Sequence, residues 1–229
     1  MLLSVIIPAY NEENTLEESV NKVKECLFEI EHEIIVIDDS STDRTAEIIK
    51  SIQPANPNLK ALTHSNNQGK GAAIRNGFSI ASGELIITHD ADFEYDPKDI
   101  IQLLKTKQEH PQAIIYGSRF LSGKNKFLLS SFWANKFLSF LSSIITGLKI
   151  TDMETCYKLF DKEILSEISL QENKFGIEPE FTKKMARLVK LKKYEYLEIP
   201  ISYQPRTKKQ GKKINYKDGI AAIFCLLKY

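Results

Sequence analysis

The sequence predicts an α/β fold with a mostly parallel, Rossmann-like sheet flanked by helices. Short runs of Val and Ile alternate with amphipathic segments of helix length through the first 118 residues, a rhythm typical of β-α-β units. Polar and acidic residues follow several of these runs directly. Parallel strands gather such ends at one edge of a sheet, where open α/β folds bind their ligands.

The first half of the chain is predicted to alternate strands and helices. Leu16, Val20 and Val23 recur at helical spacing between two β-branched runs. Pro54 ends the second helix because proline lacks the N–H that a helix interior needs, and Pro97 suits the first turn of the fourth. Strands are predicted at 4–8, 33–38, 59–63, 84–88 and 113–116, and helices at 13–28, 46–52, 69–81 and from 97 onward.

The second half does not follow this alternation. An amphipathic segment at 127–148 precedes a short strand and a helix, residues 194–203 alternate as a strand, and a basic loop leads to a terminal helix. We expect one domain with halves at 1–118 and 119–229. The other elements are predicted at 157–160, 178–190, 207–213 and 218–227.

Composition and charge exclude several classes of protein. The net charge of +1 gives the chain as a whole no attraction for nucleic acid. Residues 182–229 nevertheless carry 13 basic and 3 acidic side chains, so the rest of the chain is acidic. The three cysteines are too widely spaced for a disulfide framework or a zinc site. We see no secretion signal and no run of about 20 apolar residues, and therefore expect a cytoplasmic protein.

Three acidic residues stand at alternate positions just after the strand at 84–88. They are Asp90, Asp92 and Glu94. In an extended turn, alternate side chains project to one side, so their oxygens would converge on one hard cation such as Mg²⁺ or Mn²⁺. A solvated acidic loop is the alternative, but the position at a strand end favours the metal site.

Polar residues also follow the first two strands. Tyr10 and Glu12 come after the first, and Asp39 comes after the second. A Tyr ring can stack on a base while a carboxylate accepts hydrogen bonds from base N–H groups. The alternative is a turn at Pro8 and a helix cap at Asp43. We favour ligand contact for the first three residues and the helix cap for Asp43.

Two glycines flank Lys70 at a predicted helix N-terminus. Backbone N–H groups and the helix dipole favour a phosphate or a carboxylate at such a place. The spacing differs from that of a Walker loop. Arg75, one turn further on, either pairs with an acid of the site or lies in solvent.

With these residues in view, the chain resembles the family 2 glycosyltransferases of GT-A architecture, and among them the dolichyl or polyprenyl phosphate sugar synthases. The resemblance covers nearly the whole chain. Its specific pieces are 5–12 (VIIPAYNE), 36–44 (VIDDSSTDR), 69–77 (GKGAAIRNG), 90–92 (DAD), 151–160 (TDMETCYKLF) and 175–182 (FGIEPEFT).

The resemblance implies a donor site in the first half and an acceptor site in the second. It implies that the acidic motif holds Mg²⁺ or Mn²⁺ on the diphosphate, although some relatives have Gln where this chain has Glu94. It also implies that Arg206 and a lysine such as Lys212 close over the donor phosphates. The nucleotide contacts expected on this basis are Pro8, Tyr10, Glu12, Asp39, Asp90 and Arg206, and the helix N-terminus adds Lys70.

On the acceptor side, the resemblance implies that Arg119 faces a phosphate. Many relatives carry a second arginine nearby, and Asn135 and Lys136 occupy its place here. Asp152 and Glu154 are the acids expected near the sugar, to orient hydroxyls or to act as a base. We assign the catalytic role to Asp152 first, together with Asp92 in the metal site.

The amphipathic segment predicts contact with a membrane surface. Residues 119–149 contain five basic and no acidic residues, which suits anionic lipid. Aromatic and aliphatic side chains, Trp133, Phe137 and Phe140 among them, form a broad apolar surface opposite Ser, Asn and Thr. An ordinary core helix is the alternative. Given the resemblance, we favour an interfacial helix.

These features predict an inverting hexosyltransferase. The donor is expected to be of the GDP-mannose or UDP-glucose type, and the acceptor to be dolichyl or polyprenyl phosphate at a membrane. The alternatives are a soluble or polysaccharide acceptor, a sugar nucleotidyltransferase, and a nucleotide-sugar sensor without turnover. The N-terminus lacks the Gly-rich signature of a nucleotidyltransferase, and intact acidic residues argue against a sensor.

Overall fold

The computed structural model describes residues 1–206 and 216–229, apart from the side chains of residues 130, 216 and 217. Its strands are β1 (Leu3–Ala9), β2 (His32–Asp38), β3 (Leu59–Thr63), β4 (Leu85–Thr88), β5 (Ala113–Ser118), β6 (Lys158–Asp161) and β7 (Glu195–Pro200). Its helices are α1 (Leu16–Cys26), α2 (Thr45–Ile52), α3 (Lys70–Ile80), α4 (Lys98–Glu109), α5 (Leu129–Thr146), α6 (Ile164–Glu167), α7 (Ile177–Lys190) and α8 (Tyr216–Lys228).

The seven strands form one sheet in the order β3-β2-β1-β4-β6-β5-β7. All pairs are parallel except those that β6 makes with β4 and β5. The chain runs outward from β1 to β3 and then returns to place β4 on the other side of β1. The strand order therefore reverses between β1 and β4, which is where open α/β sheets bind ligands. The predicted mostly parallel sheet flanked by helices is confirmed.

Each central strand is buried on both faces. In β2, Ile34 and Val36 join one hydrophobic cluster, whereas Ile35 and Ile37 join another on the opposite face. This explains why the strand is a continuous apolar run, as parallel sheets covered by helices require. Gly77 lets α3 approach the sheet closely, because a Cβ there would lie 2.3 Å from a methyl carbon of Ile6.

The predicted elements are present, with ends displaced by a few residues. Sequence reasoning missed α6 and a 3-10 turn at Gln53–Ala55. The last predicted strand is too long, because β7 ends at Pro200 and the chain then runs beside the acidic motif. There Tyr203 bridges to Tyr95, and the N–H of Gln204 donates to the carbonyl of Glu94 at 2.9 Å. The predicted basic loop at 207–213 lies outside the described residues.

Helix α5 places its apolar side outward. Ser139, Ser142 and Thr146 are buried, and the Ser139 hydroxyl accepts the N–H of Met153 at 3.0 Å. The exposed side chains of α5 include Leu129, Trp133, Phe137, Phe140 and Ile144, each more than half exposed. The core-helix alternative is therefore wrong for this face. Within residues 1–206 and 216–229, no helix has the length and apolar character that a membrane span needs.

Candidate active site

Three loops meet at the carboxyl edge of the sheet, after β1, β2 and β4. Each contains a non-glycine residue with positive φ: Asn11 at 51°, Ser40 at 60° and Phe93 at 59°. Such conformations are strained and persist where the surrounding structure holds them. The first two loops are tied together, since Asn11 accepts the N–H of Thr42 at 2.8 Å and donates its own N–H to Ser41 at 2.9 Å.

The acidic motif after β4 is a tight turn. Phe93 adopts a left-handed conformation, and the N–H of Glu94 donates to the carboxylate of Asp92 at 3.1 Å. The expectation of an extended segment with alternate side chains on one side is therefore wrong. Within this turn Asp92 and Glu94 both contact Arg206, whereas Asp90 contacts Lys70.

Arg206 gathers the acidic side chains of two loops. Its guanidinium donates to Asp92 at 2.6 Å and to Glu12 at 3.1 and 3.3 Å, and its backbone N–H donates to Glu94 at 2.7 Å. Glu94 also accepts the hydroxyl of Tyr203 at 3.1 Å. Arg206, which is predicted to close over the donor phosphates, thus lies among the acids of the donor site and reaches Glu12 across 194 residues of sequence.

Among the described residues, the acids of the site outnumber its cations. Burial, followed by repulsion from Asp90 and Glu94, raises the pKa of Asp92 to about 7 even though Arg206 opposes the shift. Among the residues that the structure describes, no three His, Cys, Asp or Glu side chains converge as a metal site. Carboxylate oxygens are nevertheless the ligands that Mg²⁺ and Mn²⁺ prefer. The guanidinium of Arg206 supplies a positive charge between the carboxylates of Asp92 and Glu12.

Lys70 lies at the same carboxyl edge of the sheet and forms an ion pair with Asp90. Its ammonium lies 2.8 Å from the Asp90 carboxylate and 3.8 Å from that of Glu178. Glu178 in turn forms a buried ion pair with Lys158. The side chain predicted to meet a phosphate is therefore already paired with acids from α7 and from the acidic motif.

Asp39 binds the N-terminus of α3 and the loop before it. Its carboxylate accepts hydrogen bonds from His64 at 2.7 Å, the N–H of Gln68 at 2.8 Å and the N–H of Gly69 at 2.7 Å. The anion predicted at this helix N-terminus is thus the protein's own carboxylate. Both oxygens of Asp39, which we expect to meet a base, have protein donors because the loop folds back over the end of β2.

The glycines around Lys70 serve close packing. Gly69 has φ of 101°, and a Cβ on Gly71 would lie 2.4 Å from the carbonyl of Glu172. Arg75 donates to the carbonyl of Leu170 at 3.1 Å and also contacts Asn173. Neither of the two alternatives for Arg75 is therefore correct, because it binds the segment before α7.

The remaining donor-side predictions lie at the same edge. Pro8 lies within β1 and Tyr10 follows its end, both half-buried. Asp43 accepts the N–H of Thr45, the first residue of α2, at 2.9 Å. The interpretation of Asp43 as a helix cap fits this contact.

Arg119, which follows β5, and Asp152, in the loop before β6, form a bidentate ion pair. The two guanidinium contacts are both 2.7 Å, and the backbone N–H of Arg119 adds a third at 3.0 Å. Both side chains are buried. Asp152, predicted as the first catalytic acid, is therefore already committed to holding Arg119.

Glu154 is the acid of this region whose charge is least compensated. Burial, followed by repulsion from Glu178, raises its pKa to about 7. Its Oε1 is buried without a hydrogen-bond partner among the described residues. Asp152 is matched by a guanidinium, whereas this oxygen of Glu154 is not; the predicted order of the two acids near the sugar stays a prediction.

Lys136 and Arg119 both lie near the ring of Phe120. The Lys136 ammonium is 4.6 Å from the centre of the Phe120 ring, and the Arg119 guanidinium carbon is 5.8 Å from it. Asn135 is half-buried on the same helix. Phe127 stacks on Phe120 at 4.9 Å, so the basic groups adjoin an aromatic cluster that continues into α5.

Sequence reasoning missed Lys158, Glu178 and His64 as parts of the site. A signal was available for Lys158, which is a charged residue followed directly by Leu159 and Phe160 in an apolar strand. Burial of a Lys in a strand requires an acidic partner. The pattern does not say which acid that is.

The sequence is similar to curated proteins that act on lipid phosphates. It is 35% identical over 123 residues to a dolichol-phosphate mannosyltransferase of Pyrococcus furiosus, covering 54% of this chain and 34% of that protein. It is 33% identical over 189 residues to a dolichyl-phosphate beta-glucosyltransferase of Trichomonas vaginalis, covering 75% and 56%. The chain thus spans between a third and just over half the length of these relatives.

The fold is similar to that of solved glycosyltransferases. A glucosyl-3-phosphoglycerate synthase of Mycobacterium tuberculosis, crystallised with Mn²⁺, uridine diphosphate and phosphoglyceric acid, superimposes with a TM-score of 0.74 at 16% identity, covering 99% of this chain and 78% of that one. This likeness confirms the predicted GT-A fold. Residues 4–169 match the family described as glycosyl transferase family 2. The chain therefore belongs to glycosyl transferase family 2.

Proposed function

We propose that the chain transfers a hexosyl group from a nucleoside diphosphate sugar to a polyprenyl or dolichyl phosphate, with inversion at the anomeric carbon. The observation that carries this proposal is the gathering of Glu12, Asp92 and Glu94 around Arg206 where the strand order reverses. Carboxylates for a cation and basic groups for phosphates therefore occur together. The lipid acceptor follows the relatives, whose names specify dolichol and dolichyl phosphate.

On the donor side, the nucleotide lies over the ends of β1 and β2. Tyr10 offers a ring for the base, and Pro8 and Glu12 line the same edge. Asp39 acts through the loop that it holds, because its oxygens already have donors there. Lys70 and Arg206 are the cations nearest to the expected diphosphate.

Asp90, Asp92 and Glu94 supply the oxygens for Mg²⁺ or Mn²⁺. The structurally similar glucosyl-3-phosphoglycerate synthase was crystallised with Mn²⁺ and uridine diphosphate, which supports a divalent cation here. When bound, the cation neutralises the charge that develops on the leaving diphosphate. The chain's own part is to keep three acids within one turn and to hold water away from Asp92.

On the acceptor side, Arg119 and Lys136 hold the lipid phosphate beside Phe120, with Asn135 on the same helix. A phosphate monoester has a second pKa near ~6 and is mostly ionised at neutral pH, so its oxygen attacks without a strong general base. Asp152 then serves to orient Arg119. Glu154, whose Oε1 has no hydrogen-bond partner in the part of the chain that the structure describes, accepts hydrogen bonds from sugar hydroxyls.

The apolar side of α5 supports peripheral contact with a membrane. Five large apolar side chains of this helix are exposed next to the aromatic cluster that adjoins Arg119. The neighbouring α8 exposes three more, Ile220, Phe224 and Leu227. Exposed apolar patches of this kind mark interaction sites, and basic residues nearby suit anionic lipid. The lipid tail would then remain in the bilayer while its phosphate reaches Arg119.

The function is tested by incubating the protein with UDP-glucose or GDP-mannose, Mg²⁺ or Mn²⁺, and a short polyprenyl phosphate, then identifying products by mass. Sugar on the lipid phosphate with release of nucleoside diphosphate is expected, and excess chelator should abolish it. Release of pyrophosphate from sugar phosphate and nucleoside triphosphate indicates a nucleotidyltransferase. Transfer only to soluble acceptors removes the lipid assignment. Binding without any turnover indicates a sensor.

A further inference from the structure

The guanidinium of Arg206 occupies the middle of the acidic site. It bridges Asp92 at 2.6 Å and Glu12 at 3.1 Å, side chains from separate loops. A planar guanidinium matches carboxylates in the same way as it matches phosphates, and it reduces repulsion between the acids that it bridges. A divalent cation at Asp92 must therefore compete with a cation that the chain itself supplies.

One hydrogen-bonding group of Arg206 has no partner among the described residues. Its Nε–H is buried, and none of the described residues offers it an acceptor. A buried donor without an acceptor is unfavourable. A diphosphate oxygen would supply such an acceptor, and a guanidinium turned towards the diphosphate would release Asp92.

We propose that Arg206 is an internal cation that closes the acidic site to divalent metal until a nucleoside diphosphate arrives. Metal and nucleotide then bind together, and metal alone binds weakly. This inference rests on the proposed function, because it assumes that the site takes a metal and a nucleoside diphosphate. In this scheme Arg206 contacts the diphosphate directly and acts on the metal through Asp92.

The test measures Mn²⁺ binding by electron paramagnetic resonance, with and without UDP or GDP. Arg206→Met is expected to bind Mn²⁺ alone at least about tenfold more tightly than the wild type, a gain of ~1.4 kcal/mol. The same variant is expected to bind the nucleoside diphosphate more weakly in the presence of Mn²⁺. Arg44→Met is the matched control, because Arg44 is an exposed arginine in the loop after β2 whose side chain pairs with Glu47.

The gain in affinity for Mn²⁺ alone should disappear in the double variant Arg206→Met and Asp92→Asn. If Arg206 only maintains the shape of the site, its removal lowers or leaves unchanged the affinity for Mn²⁺ alone, and the inference is wrong. Wild-type transfer activity with Mn²⁺ would then leave the proposed function intact. If the wild type binds no Mn²⁺ even with UDP or GDP, both proposals fail. Arg206→Lys, which cannot bridge two carboxylates with a planar fork, replaces the Met variant should that variant unfold.

Discussion

Arg119 and Asp152 form two parallel hydrogen bonds of 2.7 Å between buried side chains that lie 33 positions apart in the sequence. The pair joins the end of β5 to the loop before β6. A carboxylate fixed in this way directs the guanidinium and cannot act freely as a base. The geometry therefore suits Asp152 to orienting Arg119, the residue proposed to hold the acceptor phosphate.

Asp152→Asn should weaken the acceptor side of the reaction and the fold together. It leaves a buried guanidinium without its counter-charge, which costs about 3 kcal/mol of unfolding free energy. The KM for polyprenyl phosphate should rise, while the Kd for nucleoside diphosphate, measured by calorimetry, stays close to that of the wild type. Unchanged acceptor kinetics in a folded variant would remove the pair from the acceptor site.

Asp39→Asn should weaken the binding of UDP or GDP by about 1 to 3 kcal/mol of binding free energy. The variant replaces one of the two carboxylate oxygens, which accept hydrogen bonds from the loop before α3, with an amide donor and so disturbs that loop. Calorimetry measures the change. His64→Gln separates the two explanations, since it removes one support of the Asp39 loop and leaves the carboxylate in place. Weaker binding in both variants indicates an action through the loop, whereas weaker binding in Asp39→Asn alone indicates direct contact with the base.

Glu33→Gln should destabilise the fold at neutral pH by about 2 kcal/mol. Burial opposes ionisation of Glu33, but hydrogen bonds from Lys60, Ser4 and Ser82 outweigh it and lower the pKa from 4.5 to about 2. The stabilisation is present above the unfolded pKa near 4.5 and is lost as pH falls towards 2. Urea unfolding at several pH values should therefore show the variant and wild type converging in acid.

Glu154→Gln should stabilise the fold in alkali and leave it unchanged in acid. The folded pKa of about 7 exceeds the ordinary 4.5, so the carboxyl destabilises the wild type increasingly as pH rises through 7. Urea unfolding at pH about 8.5 should show a gain of about 2 kcal/mol, which vanishes at pH about 4.5. A matching fall in the rate of sugar transfer would show that this buried acid is kept for function; an equal advantage at both pH values would contradict the shift.

Phe140→Ser combined with Phe224→Ser should reduce binding to vesicles that contain anionic lipid. The two rings are 63% and 68% exposed, so the thermal midpoint should change little, in contrast to a core truncation. Phe28→Ser is the matched control, because Phe28 is also highly exposed but follows α1. Equal vesicle binding by all variants would show that the apolar side of α5 and α8 is not the membrane contact.

Local pattern was enough to predict the sheet, its helices and the edge at which the site lies. Strand and helix periods depend on neighbouring residues, and the ends of parallel strands lie at a common edge, so Tyr10, Asp39 and Asp92 could be placed together without coordinates. The acceptor residues were predicted from the resemblance to the family, because the sequence around Arg119 contains no pattern that predicts a phosphate contact.

By itself, the sequence determined the fold class, the strand ends that carry the site, and an acidic motif suited to a divalent cation. Only the tertiary structure decided the partner of each charge. Arg206 reaches Glu12 across 194 positions, and Asp152 faces Arg119, because the path of the chain sets which distant groups meet. The structure alone also decided the exposure of α5. An amphipathic pattern distinguishes two sides of a helix, but it does not say which side the rest of the protein covers.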